Sequence, residues 1–213
     1  MNIRAVIFDW GGVLRADEHA VFDRIDESFG APVGTLWSAW HDIPEYKLSR
    51  EGAIGRAVFH AAMVKTLATT LGIVKAEAAH AGLLERLAAL PPVDDEMRAL
   101  LGRLRVGGRV RLGLLSNAPR GTGATLEARG VIPLFDDAVV SGDVGLAKPD
   151  PAIYRLAATR LDVEPSACFF IDDMARNIDG ARQAGMVGHL YEPGGFDALV
   201  ARLVECSALP SGL

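Results

Sequence analysis

Asp9, Ser116, Asn117, Lys148, Asp172 and Asp173 are of types that handle phosphate and divalent cations, and their spacing is informative. Asp9 follows the apolar run Val6-Ile7-Phe8, and Ser116-Asn117 follow Leu112 to Leu115. Lys148 follows Ala138-Val-Val140 through a Gly-containing loop, and Asp172-Asp173 follow Phe169-Phe170-Ile171. If these runs are strands of one parallel sheet, their C-terminal ends share a rim, where such sheets bind ligands. Three carboxylates, a hydroxyl and an ammonium would then converge. Magnesium takes oxygen ligands in octahedral geometry, usually one or two carboxylates with waters and a substrate phosphate. Asp9 and one member of the later pair can supply those carboxylates.

The elements that must position these residues are legible as alternating patterns. Arg4-Ala-Val-Ile-Phe8, Val110 to Leu115, Ala138 to Val140, Ala167 to Ile171 and Val187 to Leu190 are short runs rich in β-branched residues, which predicts strands. Helical patterns over 121–129, 151–161 and 175–184 separate the later ones, which predicts an α/β fold with a doubly wound parallel sheet covered on both faces. Residues 17–90 carry no strand signal; they are rich in Ala, Leu and charge, with possible helix breaks at Pro32, Pro44 and Gly72. This predicts an inserted α-helical cap domain over 17–90, the core domain comprising 1–16 and 91–213. Pro91-Pro92 would close the insertion, and Asp94 would N-cap the returning helix.

Composition narrows the function. A chain of 213 residues, 50% hydrophobic and 23% charged, can bury a full core. Its net charge of −5 and pI near 5.5, with no long Lys/Arg run, argue against nucleic acid as a partner. The apolar stretch Ala5 to Phe8 is too short for a signal-peptide core, and no segment reaches membrane-spanning length, so a soluble, cytoplasmic protein is expected. Cys168 and Cys206 make no disulfide framework, and Cys168 sits in an apolar run where a thiol packs as a small hydrophobe. The pattern sets no oligomeric state, and the segment after Cys206, ending Pro210-Ser-Gly-Leu213, reads as a loose tail.

With these residues in place, the chain resembles the haloacid dehalogenase superfamily. Phe8-Asp-Trp-Gly-Gly-Val-Leu14 is similar to its first motif, Leu114-Leu-Ser-Asn117 to the second and Gly145-Leu-Ala-Lys-Pro149 to the third. Phe170-Ile-Asp-Asp173 with Asn177-Ile-Asp-Gly-Ala-Arg-Gln-Ala-Gly185 is similar to the fourth. The helical insertion between motifs one and two matches the family's first type of cap. The resemblance implies a magnesium-dependent phosphohydrolase in which Asp9 attacks phosphorus and forms an aspartyl-phosphate that water hydrolyses. It implies Asp9, the backbone carbonyl of Gly11 and Asp173 as Mg2+ ligands, with Asp172 a ligand or its supporter. Ser116 would hold phosphate oxygens with Asn117 assisting, and Lys148 would supply charge to the phosphate and steady Asp9. The implied partner is a small phosphorylated metabolite, a sugar phosphate among the candidates.

The chain departs from the pattern at Gly11, where family phosphatases usually carry a second Asp that protonates the departing alcohol and then activates water. Such a group contributes roughly 10²- to 10⁴-fold, so hydrolysis of poor leaving groups should be slow unless cap or substrate supplies a proton. Some sugar-phosphate phosphatases resemble this sequence in having Gly there.

Other readings compete at each position. Asp9 could be a turn carboxylate, Asp172 or Asp173 an N-cap of the helix near Ala175, Ser116 a cap and Lys148 a surface lysine. In the cap, Trp37, Trp40, His41, Tyr46, Lys47 and Arg50 are chemically varied, yet aromatic residues at helical spacing are more often core. His60 and His80 lack partners at metal-ligand spacing and read as surface or core residues, as does His189. Phosphonoacetaldehyde hydrolases resemble the motif in pairing Asp-Trp with a small residue, but they need a cap lysine for a Schiff base, for which Lys47, Lys65 and Lys75 are available. Metal-free 2-haloacid dehalogenases use the same Asp on carbon, with Tyr-Gly-Thr where this chain has Gly11-Gly-Val13. Gly11 could also mark a non-catalytic phosphate- or protein-binding module. A receiver domain is excluded by motif order.

Overall fold

A computed structural model of the protein describes residues 2–15 and 19–210, the side chain of His19 excepted. Five parallel strands, β1 (Ala5–Phe8), β2 (Arg111–Ser116), β3 (Asp137–Val140), β4 (Cys168–Asp172) and β5 (Val187–Leu190), form one sheet in the order β3-β2-β1-β4-β5. Each predicted strand is present, with bounds shifted by at most one residue. The order reverses beside β1, which places the ligand-binding crevice over the C-terminal ends of β1 and its neighbours.

Alternate residues of the strands feed two cores. Val6, Phe8, Leu112, Leu114, Phe169 and Ile171 meet α6 (Asp95–Gly107), α7 (Thr122–Ala128) and α11 (Phe196–Glu205) on one face. Ala5, Ile7, Leu115, Cys168 and Phe170 meet α9 (Pro151–Arg160) and α10 (Ala175–Gln183) on the other. With both faces covered, the strands need near-continuous apolar runs, which is the pattern the sequence shows. A one-turn helix, α8 (Ser141–Val144), leads from β3 into the loop that carries Lys148.

Helices α1 (His19–Phe29), α2 (Thr35–His41), α3 (Pro44–Arg50), α4 (Arg56–Leu71) and α5 (Ile73–Ala89) pack around their own cluster, including Phe22, Ile25, Leu36, Met63, Leu67 and Leu83. The breaks at Pro32, Pro44 and Gly72 fall between helices or at a helix start, and Pro44 is the first residue of α3. A further break, at 51–55, was not foreseen; its Gly52 has φ 72 and lies where a Cβ would strike the carbonyl oxygen of Gly142 after β3. A side chain would wedge cap from core there. Trp10 Nε1 donates to the carbonyl of Pro92 at 2.8 Å and Asp94 N to that of Leu14 at 2.8 Å, tying the loop after β1 to the chain's return from the cap. The outgoing crossing, where the predicted boundary at 16/17 falls, lies outside the described residues.

Two expectations are corrected. Asp94 occupies the N-cap position of α6, but its side chain makes no capping bond. The segment after Cys206 is no loose tail up to residue 209: Ser207 turns with φ 59, Ala208 and Leu209 both donate to the carbonyl of Leu203, and both are buried against α6 and α11. Residues 211–213 lie outside the described part.

Candidate active site

The backbone N–H of Asp9 donates to Ile171 O at 2.9 Å, extending the β1–β4 ladder one residue past Phe8. Asp9 therefore emerges at the rim beside Asp172, the last residue of β4. Lys148 reaches between them: its Nζ lies 2.9 Å from Asp9 Oδ1 and 2.6 Å from Asp172 Oδ2. All three are buried, Lys148 and Asp172 almost completely. Removing one member of such a set leaves a buried charge uncompensated, at a cost of roughly 3–5 kcal/mol. Burial works against the Lys148 ammonium, but Asp172 and Asp9 together outweigh it and raise its pKa. Burial pushes the Asp9 carboxyl up to about 8; Lys148 opposes the rise, while Asp172 and Asp173 reinforce it. A cation at this corner would favour the carboxylate.

Asp172 is held on both oxygens. Its Oδ1 accepts the Met174 N–H at 2.8 Å and Asn177 Nδ2 at 2.9 Å, and its Oδ2 accepts Lys148. Asp172 thus both anchors the lysine and starts the turn into α10, uniting the site role and the helix-entry role. Its neighbour Asp173 is exposed and leans over the loop after β1, where a Cβ on Gly12 would strike its Oδ2. With φ 73 as well, position 12 admits only glycine without displacing Asp173. Gly11 differs: a Cβ there would meet nothing within 4 Å, so the missing acid is not excluded by packing. One oxygen of each of Asp9, Asp172 and Asp173 lies within 4.8 Å of the others, an all-oxygen donor set that fits a hard divalent cation.

Ser116 is buried at the end of β2, paired with Val140. Asn117 is spent on Lys148, donating from Nδ2 to its carbonyl and accepting its N–H at Oδ1, both at 2.9 Å. The structure thus places it as a brace for the lysine's backbone. Sequence reasoning missed two further supports. Ser141 Oγ accepts the N–H of Ala118 at 3.0 Å and pins the loop after Ser116. Asn177, quoted in motif four without a role, clamps Asp172 while its own carbonyl accepts Tyr154 Oη at 2.7 Å.

From the cap, α3 brings Tyr46 over the rim, near enough that Asp9, Arg176 and Lys148 all influence its phenol, whose pKa burial raises. The Arg50 guanidinium stacks over the Tyr46 ring at 4.2 Å. Trp37 and Trp40 pack against the cap's own core. Lys47 is largely exposed and pairs with Glu51, while Lys65 and Lys75 are exposed on α4 and α5; of the chain's four lysines only Lys148 reaches the rim.

The family model for haloacid dehalogenase-like hydrolases matches residues 3–185. A Mycobacterium tuberculosis (strain CDC 1551 / Oshkosh) phosphatase is 28% identical over 220 residues, covering 100% of this chain and 99% of its own length. An (S)-2-haloacid dehalogenase from Pseudomonas sp. (strain YL) is 30% identical over 193 residues, covering 86% of this chain and 80% of its own. The magnesium complex of a HAD family enzyme from Bacteroides thetaiotaomicron superposes with a TM-score of 0.65 at 21% identity, over 95% of this chain and 100% of that one, a likeness of fold. Motif order, sheet topology and a family match over residues 3–185 lead to one family: the chain belongs to the haloacid dehalogenase-like hydrolases.

Proposed function

We propose that the protein is a magnesium-dependent phosphatase acting on a small phosphomonoester, sugar phosphates among the candidates, through a phosphorylated Asp9. The observation that carries this is the acidic corner Asp9–Asp172–Asp173 beside a buried lysine. Asp9 and Asp173, with the Gly11 carbonyl, would hold Mg2+, which when bound supplies positive charge to the phosphoryl oxygens. Asp172 acts mainly by fixing Lys148.

Both polar contacts of Asp9 fall on Oδ1, from Lys148 and from the Trp10 N–H at 2.7 Å. Its carboxylate attacks phosphorus, the bond from phosphorus to the leaving oxygen breaks, and that oxygen takes a proton from solvent water, since Gly11 offers no acid. Water then attacks the phosphorylated Asp9, releases phosphate and restores the carboxylate. Lys148 and the Ser116 hydroxyl stabilise the charge that builds on the phosphoryl oxygens.

A full-length phosphatase relative supports this reading, while the dehalogenase relative favours attack of Asp9 on carbon without metal. Hydrolysis of p-nitrophenyl phosphate separates the two, because its good leaving group needs little help from an acid. Turnover is expected with Mg2+ and should vanish with chelator or in Asp9→Asn. Chelator-resistant halide release from a 2-haloacid, with no phosphate release, would replace the phosphatase by the dehalogenase.

A further inference from the structure

Away from the rim, α4 and α5 bring two histidines together that lie 20 positions apart in sequence. His60 Nδ1 and His80 Nε2 stand 2.7 Å from each other. The His60 ring is held edge-on by Trp40, with ring centroids 5.6 Å apart. Both histidines line a groove of about 420 Å³ with Val64, Lys65, Ile73 and Glu77. Glu77 precedes His80 by three residues, so the two share a face of α5.

From this placement we propose that His60, His80 and Glu77 form a second metal site, separate from the acidic corner, for a divalent transition ion of the zinc, cobalt or nickel type. Two imidazole nitrogens with one carboxylate and a water make a four-coordinate set of the kind such ions take, and a set that magnesium disfavours. The two nitrogens share a hydrogen bond, so ligation requires the donor ring to carry its proton on its other nitrogen and both rings to turn toward a common point, with the nitrogens moving about 0.6 Å apart to the ~3.3 Å of a tetrahedral zinc. Among the described residues, the acidic corner is the only such trio already within 4.8 Å, so Glu77 must turn inward, which its exposed position on α5 allows. Burial lowers the pKa of both rings, with His80 and Arg56 adding to the effect on His60, which is brought to about 4. Imidazole ligates metal through a neutral ring, the form that burial favours. Lys65 and Arg56 oppose a cation here, and the Glu77 carboxylate offsets them.

Cobalt binding to the untagged protein tests this, because four-coordinate histidine-bound Co2+ absorbs visible light strongly and six-coordinate, all-oxygen Co2+ at the acidic corner absorbs weakly. One equivalent of the strongly absorbing species is expected, abolished by His60→Ala or His80→Ala and weakened about tenfold by Glu77→Gln. Should the alanine variants fail to fold, His60→Gln/His80→Gln, checked for native helicity by circular dichroism, serves in their place. Absorption no stronger than an all-oxygen site gives, or strong absorption unchanged in the folded double variant, overturns the assignment.

Discussion

The rim of the sheet and helix α3 above it differ in how their charged side chains are held. At the rim, the charged groups Asp9, Lys148 and Asp172 pair with one another at 2.6–2.9 Å, and of the amides that brace them Asn177 leaves its Oδ1 buried without a hydrogen-bond partner. On α3, Ser49 Oγ and Arg50 Nε are buried with no hydrogen-bond partner, although Arg50 lies over Tyr46. A preorganised network holds reacting groups in place before substrate arrives. Ser49 is fully buried while the Arg50 side chain is partly exposed, and each unsatisfied atom costs free energy until a partner reaches it. Under the proposed function, this contrast assigns the chemistry to the rim and substrate recognition to α3, and the variants below test that assignment.

That division predicts the largest effects at the rim. Lys148→Met should lower kcat/KM on p-nitrophenyl phosphate by about 10²- to 10³-fold, the scale of losing one preorganised donor to developing charge. It also leaves Asp9 and Asp172 facing each other, so its melting temperature should fall. Kinetics measured well below that temperature separate the two consequences. A loss under tenfold would mean that the network is scaffolding rather than machinery.

Next in size is a gain. Gly11→Asp inserts the absent acid where a Cβ meets nothing within 4 Å and the backbone is not left-handed. Alkyl phosphates, whose leaving groups need a proton, should then be hydrolysed at least about tenfold faster, while p-nitrophenyl phosphate changes little. Equal effects on both substrates would show that the new carboxylate acts on the metal or the phosphate instead.

The same contrast explains what could be read from sequence. The strands were legible because both of their faces are buried, so apolar runs mark them almost to the residue. Asp9, Ser116 and Asp172 were legible because each is the first polar residue after such a run, whereas Lys148, eight residues past Val140, was legible through the likeness of 145–149 to the third motif. Asn177 and Ser141 were not, because their roles depend on which strand ends the fold sets side by side; Ser141 opens α8, yet its bond is to Ala118 after β2. Ser207 hid the course of the C-terminal segment, since a left-handed serine that folds the chain back has no strong signature. His60 and His80 meet only through the packing of α4 on α5, which spacing along the chain does not encode.

A smaller effect is expected on the recognition side. Arg50→Ala removes a guanidinium worth roughly 0.5–2 kcal/mol over an aromatic ring. KM for the best phosphomonoester found by screening should rise by about 3- to 10-fold, with kcat nearly unchanged, the pattern of lost uniform binding. If kcat falls as far as kcat/KM, α3 takes part in the chemistry and the division fails.

The smallest effect concerns the cap's own stability. His60 is held at about 4 and His80 below its usual value, while unfolded histidine titrates near 6.5. The unfolded chain therefore binds protons that the folded pair refuses. The stability due to the pair is complete above about pH 6.5 and is lost as pH falls toward 4. Arg56 of α4 adds to the repulsion of a protonated pair, Lys65 of α4 lines the same groove, and Glu77 of α5 counters them. Half exposure screens these charges, so the expected shift is a few degrees, on the scale of ~2–4 °C per kcal/mol for a chain of this size. Thermal melts from pH 7 to 4.5 should show the wild type losing more than His60→Gln, which keeps a polar partner but cannot charge. The rim contributes nothing to this difference between the two proteins, since both carry it unchanged. Parallel pH curves would place the acid sensitivity there and deprive the cap of an independent response.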